Sequence, residues 1–363
     1  MAQGGVERGE GLRGRLWVTT SGRKFEREGD SIFEPHAALE AAFSAMAHLD
    51  LPSPDAAGHR IVHGGPDHEA PERISDTLIA NLRNLIPFAP LHLPDELAGI
   101  EAIAALAPGL PQVACFDTAF HRAMPEVAER FALPRGLFDE GIRRYGFHGI
   151  SYEYIMETLG DNPPRRLIIA HLGSGASMVA VRDGRSLDTT MGFSPTGGFM
   201  MGTRSGDLDP GVILYLLNHK HLAARALERL VNDESGLFGV SGVTADMKTL
   251  LDRSHMDSCA AQAIEMFCYQ ARKQVGALAA ALGGLDMLVF TGGIGEKAAL
   301  VRAEICNGLA HLGVVLDARK NQQNADTISA TDGCCIVRVI PTNEDLMIAR
   351  HVYSTLYTGV PHD

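Results

Sequence analysis

Arginine and histidine recur beside glycine in several short segments of this 363-residue chain. Arg60 and His63 lie in GHRIVHGG, on one strand and spaced to opposite faces. His92 lies in APLHLP, Arg143, Arg144 and His148 in RRYGFHG, and Arg204 in MGTRSGDLDP. A lone histidine is usually a satisfied core residue, and a lone arginine a solvated surface charge. Gathered at strand ends in a chain of formal net charge −12, they point instead to an anion site. The planar fork of arginine binds phosphate and carboxylate in pairs.

Two glycine-rich turns fit the same chemistry. In HLGSGAS, Gly173 and Gly175 flank Ser174 between two strands, so backbone amides can converge on a phosphate; a plain hairpin turn has the same pattern. In TGGIGEK, Gly292, Gly293 and Gly295 open a helix after a buried strand. That aims helix-terminal amides at an anion or nucleotide, although a strand-to-helix turn needing positive φ looks alike. Neither is a Walker sequence or a full dinucleotide fingerprint. Two such turns in one half of the chain raise the case for a nucleotide. Asp117 follows the apolar run VACF, and Glu344 follows VIPTN. Carboxylates at strand exits suit Mg²⁺ carried by nucleotide phosphates, and equally suit helix capping. Zinc hydrolysis does not fit, because the 15 histidines show no HExxH and no paired Cys/His spacing. A serine-nucleophile elbow does not fit either, because HLGSGAS lies in a hairpin.

The elements that must position these residues are readable in outline. LRGRLWVTT and RKFEREG form a hairpin about Ser21-Gly22. HAALEAAFSAMAHL is an amphipathic helix. ISDTLIANLRNLI is a helix capped by Ser75 or Asp76, and PDELAGIEAIAALAPGLPQ one stopped at Pro108 and Gly109. RLIIAHLGSGASMVAVRDGRSLDTT reads as three strands with a hairpin turn at Asp183-Gly184. Asp209 caps a helix with Pro210 in its first position. Apolar residues from Ala260 to Leu282 keep helical spacing up to Gly283-Gly284. DMLVFTGGIGE and CCIVRVIPTNEDLMIARHVYSTL each run strand, turn, helix. Strands mixed with helices, with polar or glycine-rich strand exits, give an α/β fold with ligands at the carboxyl ends of strands.

Composition narrows the classes. The length suggests two domains at about 150 residues each. The balance of 32 basic against 44 acidic residues disfavours nucleic acid and anionic membrane as partners. Between Lys273 and Asp286 lie only 12 uncharged residues, too few to span a bilayer, and the N-terminus has no signal-like apolar stretch. Six cysteines without CxxC spacing read as reduced thiols in a cytoplasmic protein.

The ordered set GHRIVHGG, FAPLH, FDTAFH, RRYGFHGIS, AHLGSGAS, MGTRSGDLDP, SGLFGVSG, FTGGIGE and VIPTNEDLMIAR, from about Leu16 to Leu356, resembles the acetate kinases. These are short-chain carboxylate kinases of the acetate and sugar kinase/Hsp70/actin superfamily. The resemblance implies two ribonuclease-H-like α/β lobes with a cleft that closes on ATP, and a homodimer formed through the second lobe. The first lobe would comprise residues 1–118 with 345–363, the last helix returning to it, and the second residues 119–344. Carried over by motif, Arg60 looks like the carboxylate-binding arginine, and Val62, Leu91, Phe147 and Pro195 like the pocket for the acyl methyl. Asp117 matches the residue assigned as acid/base, His148 and Arg204 the transition-state stabilisers, and His92 a further phosphate-contacting histidine. His171, Leu172, Gly173, Ser174 and Gly175 match a phosphate turn. Asp246, Met247 and Lys248, with Gly293, Ile294, Gly295, Glu296 and Lys297, match the adenosine region. Glu344 matches a ligand of Mg²⁺, with Mn²⁺ an alternative; ATP and ADP are the co-substrates.

Because the acceptor carboxylate is already ionised at pH 7, Asp117 is expected to position Mg²⁺ or the arginines more than to move a proton. The sequence also departs from the family pattern. Its start resembles the hairpin that follows the family's first strand and Asn-, Ser- and Lys-bearing loop, so that strand and first phosphate loop are expected to be absent. Ser174 stands in place of Asn, Tyr152 of a second His, Leu93 of Asn, Lys248 of Arg and Lys297 of Asn. Two other functions stay open: a kinase for a slightly larger acid such as propionate, and a nucleotide-binding dimer without turnover.

Overall fold

The computed structural model describes residues 2–8, 14–29, 32 and 34–358. The chain divides into two units, Met1–Phe116 with Ile348–Asp363, and Asp117–Met347.

The first unit carries six strands: β1 (Gln3–Arg8), β2 (Gly14–Thr20), β3 (Arg23–Gly29), β4 (Ala57–Ile61), β5 (Glu72–Arg73) and β6 (Gln112–Phe116). The hairpin read around Ser21-Gly22 is β2 and β3, with Gly22 at φ 87°. The structure adds β1, which pairs antiparallel with β2. Leu16 and Val18 alternate inward from β2 onto the helix Pro35–His48, where they meet Ala41, Ala45 and Leu49. A second sheet runs β4-β6-β5, with β4 parallel to β6. The helix Leu93–Leu106 packs on both the helix Pro35–His48 and β4. Of the two candidate caps of the helix Asp76–Asn84, Ser75 takes the role, its Oγ accepting from the Leu78 N–H at 3.2 Å.

One expectation needs correction. Arg60 and His63 do not share a strand, because β4 ends at Ile61. The Val62 N–H is drawn away to both carboxylate oxygens of Glu96, at 3.1 Å each, and His63 then folds inward, fully buried, and accepts from the Gly65 N–H at 2.9 Å.

The second unit is built on β7 (Arg166–Leu172), β8 (Ala176–Arg182), β9 (Arg185–Thr189), β10 (Met287–Thr291) and β11 (Ile336–Val339), in the order β11-β10-β7-β8-β9. β11, β10 and β7 are parallel; β7, β8 and β9 are antiparallel neighbours. Every residue of β10, and nearly every residue of β7 and β8, is buried, as expected for strands covered on both faces. Tyr152 and Ile155 of the helix Gly149–Leu159 pack with Leu167, Ile169, Val179, Val181 and Val289. The helix Ser258–Leu282 also packs on β7 and β8. Its inward residues are those of the 3.6-residue pattern, and Gly283 ends it at φ 73°.

Candidate active site

The parallel strands β7, β10 and β11 deliver their carboxyl ends to one edge of the sheet. His171 of β7 pairs with Thr291 of β10, so the glycine turns after them are neighbours despite their separation in sequence. Gly292 adopts φ 75°, and a Cβ there would lie 2.8 Å from the Leu172 carbonyl oxygen, so only glycine lets the turns close together. β11 leads into Thr342 and Glu344 beside them. Glu344 Oε1 lies 4.0 Å from His171 Nδ1. Ser151 Oγ contacts His171 Nδ1 at 2.8 Å and donates to Thr342 Oγ1 at 2.9 Å.

Asp117, His148 and Arg204 reach this region from three further segments. Asp117 is wholly buried at the exit of β6, and its carbonyl accepts from the Gly149 N–H at 2.9 Å. A Cβ at Gly149 would fall 2.3 Å from that oxygen, so the Gly149–Leu159 helix begins against Asp117 only because residue 149 is glycine. The turn into that helix puts His148 at φ 59°. Behind it, buried His121 contacts the Phe147 carbonyl through Nε2 and Ser186 Oγ through Nδ1, each at 3.0 Å. Burial pushes the His121 pKa down to about 4, so its ring is neutral, with Nε2–H donating to Phe147 and Nδ1 accepting from Ser186. The His148 ring stacks on His171 with centroids 4.3 Å apart, and Arg204 Nη1 donates to the Pro195 carbonyl at 3.1 Å. A Cβ on Gly175 would lie 3.3 Å from both Arg204 Nη1 and His148 Nε2. The bare Cα of Gly175 thus keeps open a place faced by a guanidinium and an imidazole nitrogen.

Beyond the turns lies a cavity of about 980 Å³. Of the residues expected at the nucleotide, Gly173, Ser174, Asp246, Met247, Lys248, Gly293, Ile294 and Lys297 line it. Glu296 serves differently. Its Oε1 accepts from the N–H groups of Gly292 and Thr342, at 3.0 and 3.2 Å, and so ties the β10 turn to the β11 exit. Gly295 is buried, and its carbonyl accepts from buried Arg302. Asp246 caps the helix Met247–Arg253. Its carboxyl sits below the ordinary range, chiefly through the side-chain hydrogen bond from Thr249.

Of the remaining expected residues, Arg60, Val62, Leu91 and His92 belong to the first unit. Arg60 is exposed on β4, and Val62 is buried just past its end. His92 is the N-terminal cap residue of the helix Leu93–Leu106, one turn from Glu96, which holds the Val62 N–H. Leu91 is 47% exposed, whereas Phe147 and Pro195 of the second unit are buried.

Several residues of the site escape a reading of the sequence. Gln322 and Asn324 line the cavity and carry no sequence signal. Arg302 supports that wall, donating to Asn324 Oδ1 at 2.6 Å and to the Gly295 carbonyl at 2.8 Å. Ser177 leaves a trace as a hydroxyl inside the apolar strand SMVAV.

A nucleotide and a divalent cation fit these residues. Glycines keep the space beside the turns clear, and Glu344 and Thr342 supply the oxygen chemistry Mg²⁺ takes. Among the described residues, no three His, Cys, Asp or Glu side chains gather into a metal cluster. A cation at Glu344 would therefore draw most of its ligands from phosphate and water.

A family model described as "Acetokinase family" matches residues 11–350. The acetate kinase of Rhodopseudomonas palustris (strain ATCC BAA-98 / CGA009) is 53% identical over 305 residues, which is 82% of this chain and 76% of that protein. The acetate kinase of Sulfurovum sp. (strain NBC37-1) is 45% identical over 336 residues, 87% of this chain and 83% of that one. The crystal structure of Porphyromonas gingivalis acetate kinase superposes with a TM-score of 0.87 at 40% identity, over 98% of this chain and 93% of that one. A propionate kinase from Francisella tularensis subsp. tularensis SCHU S4 gives 0.89 at 35%, over 96% and 92%. The α/β, actin-like fold expected from the sequence is the fold found.

Proposed function

Because this chain belongs to the acetokinase family, we propose that it transfers the γ-phosphoryl group of ATP to acetate, reversibly, giving acetyl phosphate and ADP. The observation that carries this reading is the open place at Gly175, faced by His148 and Arg204 beside two glycine turns. A carboxylate oxygen forms the new bond to phosphorus, and the bond from phosphorus to the bridging oxygen of ADP breaks, its electron pair leaving on ADP. The acid is ionised at pH 7, so no base is needed; the barrier lies in bringing two anions together. Arg60 pairs with the carboxylate, and Val62, Leu91, Phe147 and Pro195 receive the methyl group. His92, His148 and Arg204 stabilise the charge spread over the transferring oxygens, and Asp117 orients those cations.

His171 to Gly175 hold the phosphates. Asp246, Met247 and Lys248, with Gly293 to Lys297, hold the adenosine, Glu296 acting through its hold on the two turns. Glu344 would hold Mg²⁺ (Mn²⁺ as alternative), which neutralises phosphate charge when bound. We assign acid binding chiefly to residues 1–118 with 345–363, and nucleotide binding to 119–344.

We also read the protein as a cytoplasmic homodimer. The six cysteines are all free thiols, which suits a reducing compartment. Among the described residues, no helix is long and apolar enough to cross a membrane. The helix Pro210–Asn218, PGVILYLLN, buries none of its residues, and Val212, Leu214 and Tyr215 lie open along it. Asp207 and Asp209 precede this uncharged helix, and His219, Lys220 and His221 follow it. Two copies laid antiparallel would match those ends as well as the apolar middles, as a two-fold interface requires.

The test is a hydroxylamine trap for acyl phosphate with ATP, Mg²⁺ and acids of rising length. Acetate is expected to exceed butyrate in kcat/KM, since one methylene in such a pocket is worth about 1–3 kcal/mol. No acyl phosphate from any short acid would overturn the reading.

A further inference from the structure

His148 Nδ1 lies 2.8 Å from Ser177 Oγ, and Ser177 Oγ is hydrogen-bonded in turn to the Tyr152 hydroxyl. Ser177 and Tyr152 are both fully buried, Tyr152 in the apolar core with Ile155, Leu167 and Val179. Three groups therefore share two contacts, and their protons can be counted. Each hydroxyl has one proton to donate, and a neutral imidazole has one N–H and one acceptor nitrogen.

Only one arrangement satisfies both hydroxyl protons within the chain. Tyr152 donates to Ser177, Ser177 donates to His148 Nδ1, and the ring proton of His148 resides on Nε2. If His148 Nδ1–H donated to Ser177 and Ser177 to Tyr152, the phenol proton would lose its acceptor, which is Ser177 Oγ. If both neighbours donated to Ser177, the serine proton would be stranded instead. A buried donor left without an acceptor keeps its full desolvation cost, which the paired arrangement avoids. A phenol is also a better donor and a poorer acceptor than an aliphatic hydroxyl, which favours the same direction. Burial raises the Tyr152 pKa far above its ordinary range, so the proton that starts the chain stays in place.

We infer that Tyr152 is a positioning residue which, through Ser177, fixes His148 as a neutral Nε2–H donor aimed at the open place beside Gly175. The inference rests on the role proposed for His148 and adds its protonation form. A phosphoryl oxygen seated beside Gly175 would accept from His148 Nε2–H and Arg204 Nη1, whose nitrogens both lie 3.3 Å from a Cβ position there. The imidazole then works as a donor without being protonated. Its surroundings include the stacked His171, the Arg204 guanidinium and, next to the start of its helix, Asp117.

The test reads the tautomer directly. Two-bond ¹H–¹⁵N spectra of the full chain, labelled with ¹⁵N-histidine at pH 8, are assigned by comparison with His148→Gln. The parent is expected to show His148 locked with the proton on Nε2. Tyr152→Phe removes the first donor, frees Ser177 to accept, and should give mixed tautomers at His148. Its kcat should fall about tenfold while the KM for acetate stays within about twofold, because the lost donor serves the transition state. Ser177→Ala is the second variant and should likewise release the tautomer. A parent His148 protonated on Nδ1 overturns the inference, and so does a Tyr152→Phe protein with the parent's tautomer and kcat. A His148→Gln enzyme as fast as the parent would instead overturn the catalytic role of His148, an outcome separate from the tautomer pattern.

Discussion

The two units place their functional groups by different means. In Asp117–Met347, three parallel buried strands end side by side, and the chemistry is carried on the turns that leave them. In the first unit six strands are split between two three-stranded sheets, and Arg60 stands on β4, an edge strand paired only with β6 among the described residues. The second unit places groups by backbone, since glycines 149, 175 and 292 let turns, imidazole and guanidinium approach where a Cβ would intrude. The first unit places them by side chain, since the Glu96 carboxylate ends β4 by capturing the Val62 N–H. A site held by backbone tolerates loss of a functional side chain without loss of fold, whereas one held by side chains couples the two.

The largest effect should separate function from stability in the second unit. Arg204→Ala should lower kcat by about 10²–10³-fold or more, since a charge-stabilising donor in a transition state is worth that much. Its melting temperature should change little, because the Pro195 carbonyl that the guanidinium hydrogen-bonds lies in a loop. Coupled-assay rates within about threefold of the parent would remove Arg204 from the mechanism. A collapse of the melt would show that the second unit, too, depends on its functional side chains.

How legible each unit is in the sequence follows the same division. Asp209 as a cap, Gly283 as a helix stop and the inward face of Ser258–Leu282 are all readable, because local spacing determines them. So are the two glycine turns and the carboxylates at strand exits. That the turns adjoin is not readable, because it depends on β7 pairing with β10 across more than a hundred residues. The inward fold of His63 is hidden because it is set by Glu96, on a helix far along the chain. Strand β1 escapes notice because QGGVER has neither alternation nor bulk, and only its pairing with β2 makes it a strand. The Tyr152–Ser177–His148 chain joins a helix to a strand and leaves in the sequence only a serine in an apolar run.

The pH dependence of stability should sharpen the comparison, since each unit holds a histidine whose pKa is lowered by burial. His121 ionises only near pH 4 in the folded protein, against about 6.5 in the unfolded chain. Between those values the unfolded state binds more protons, so acid favours unfolding. The contribution is fully present above pH 6.5 and is lost as pH falls towards 4, by about 3 kcal/mol in all. The pKa of His59 in the first unit is also lowered by burial, against the opposing hydrogen bond that its Nε2–H donates to Gln112 Oε1. Urea unfolding at pH 7 and pH 5 should therefore show a loss that His121→Asn largely removes and His59→Asn removes less. An equal slope in parent and His121→Asn would mean that the ring is charged in the fold, and the Phe147 turn would need another support.

The smallest effect concerns the one place where the first unit also depends on a bare backbone. Gly58 lies in β4, two residues before Arg60, and a Cβ there would fall 2.4 Å from Ile348 Cγ2 and 2.7 Å from Val352 Cγ2. Both belong to the part of the helix Glu344–Tyr353 that lies in the first unit and closes on β4. Gly58 is extended, so no φ strain opposes a larger residue, and only packing does. Gly58→Ala presses on two β-branch methyls that are stiff in their helix, whereas Gly58→Val inserts a branched side chain against the same helix. Overpacking of this kind costs about 1–3 kcal/mol. Thermal melts should rank parent, Ala and Val in descending order, and the KM for acetate should rise in the same order, because Arg60 is carried on the strand that is pushed. If Val melts like the parent, the helix does not seat on β4 as described. If Val is destabilised while the KM for acetate stays fixed, Arg60 is positioned independently of β4, and the first unit is as robust a scaffold as the second.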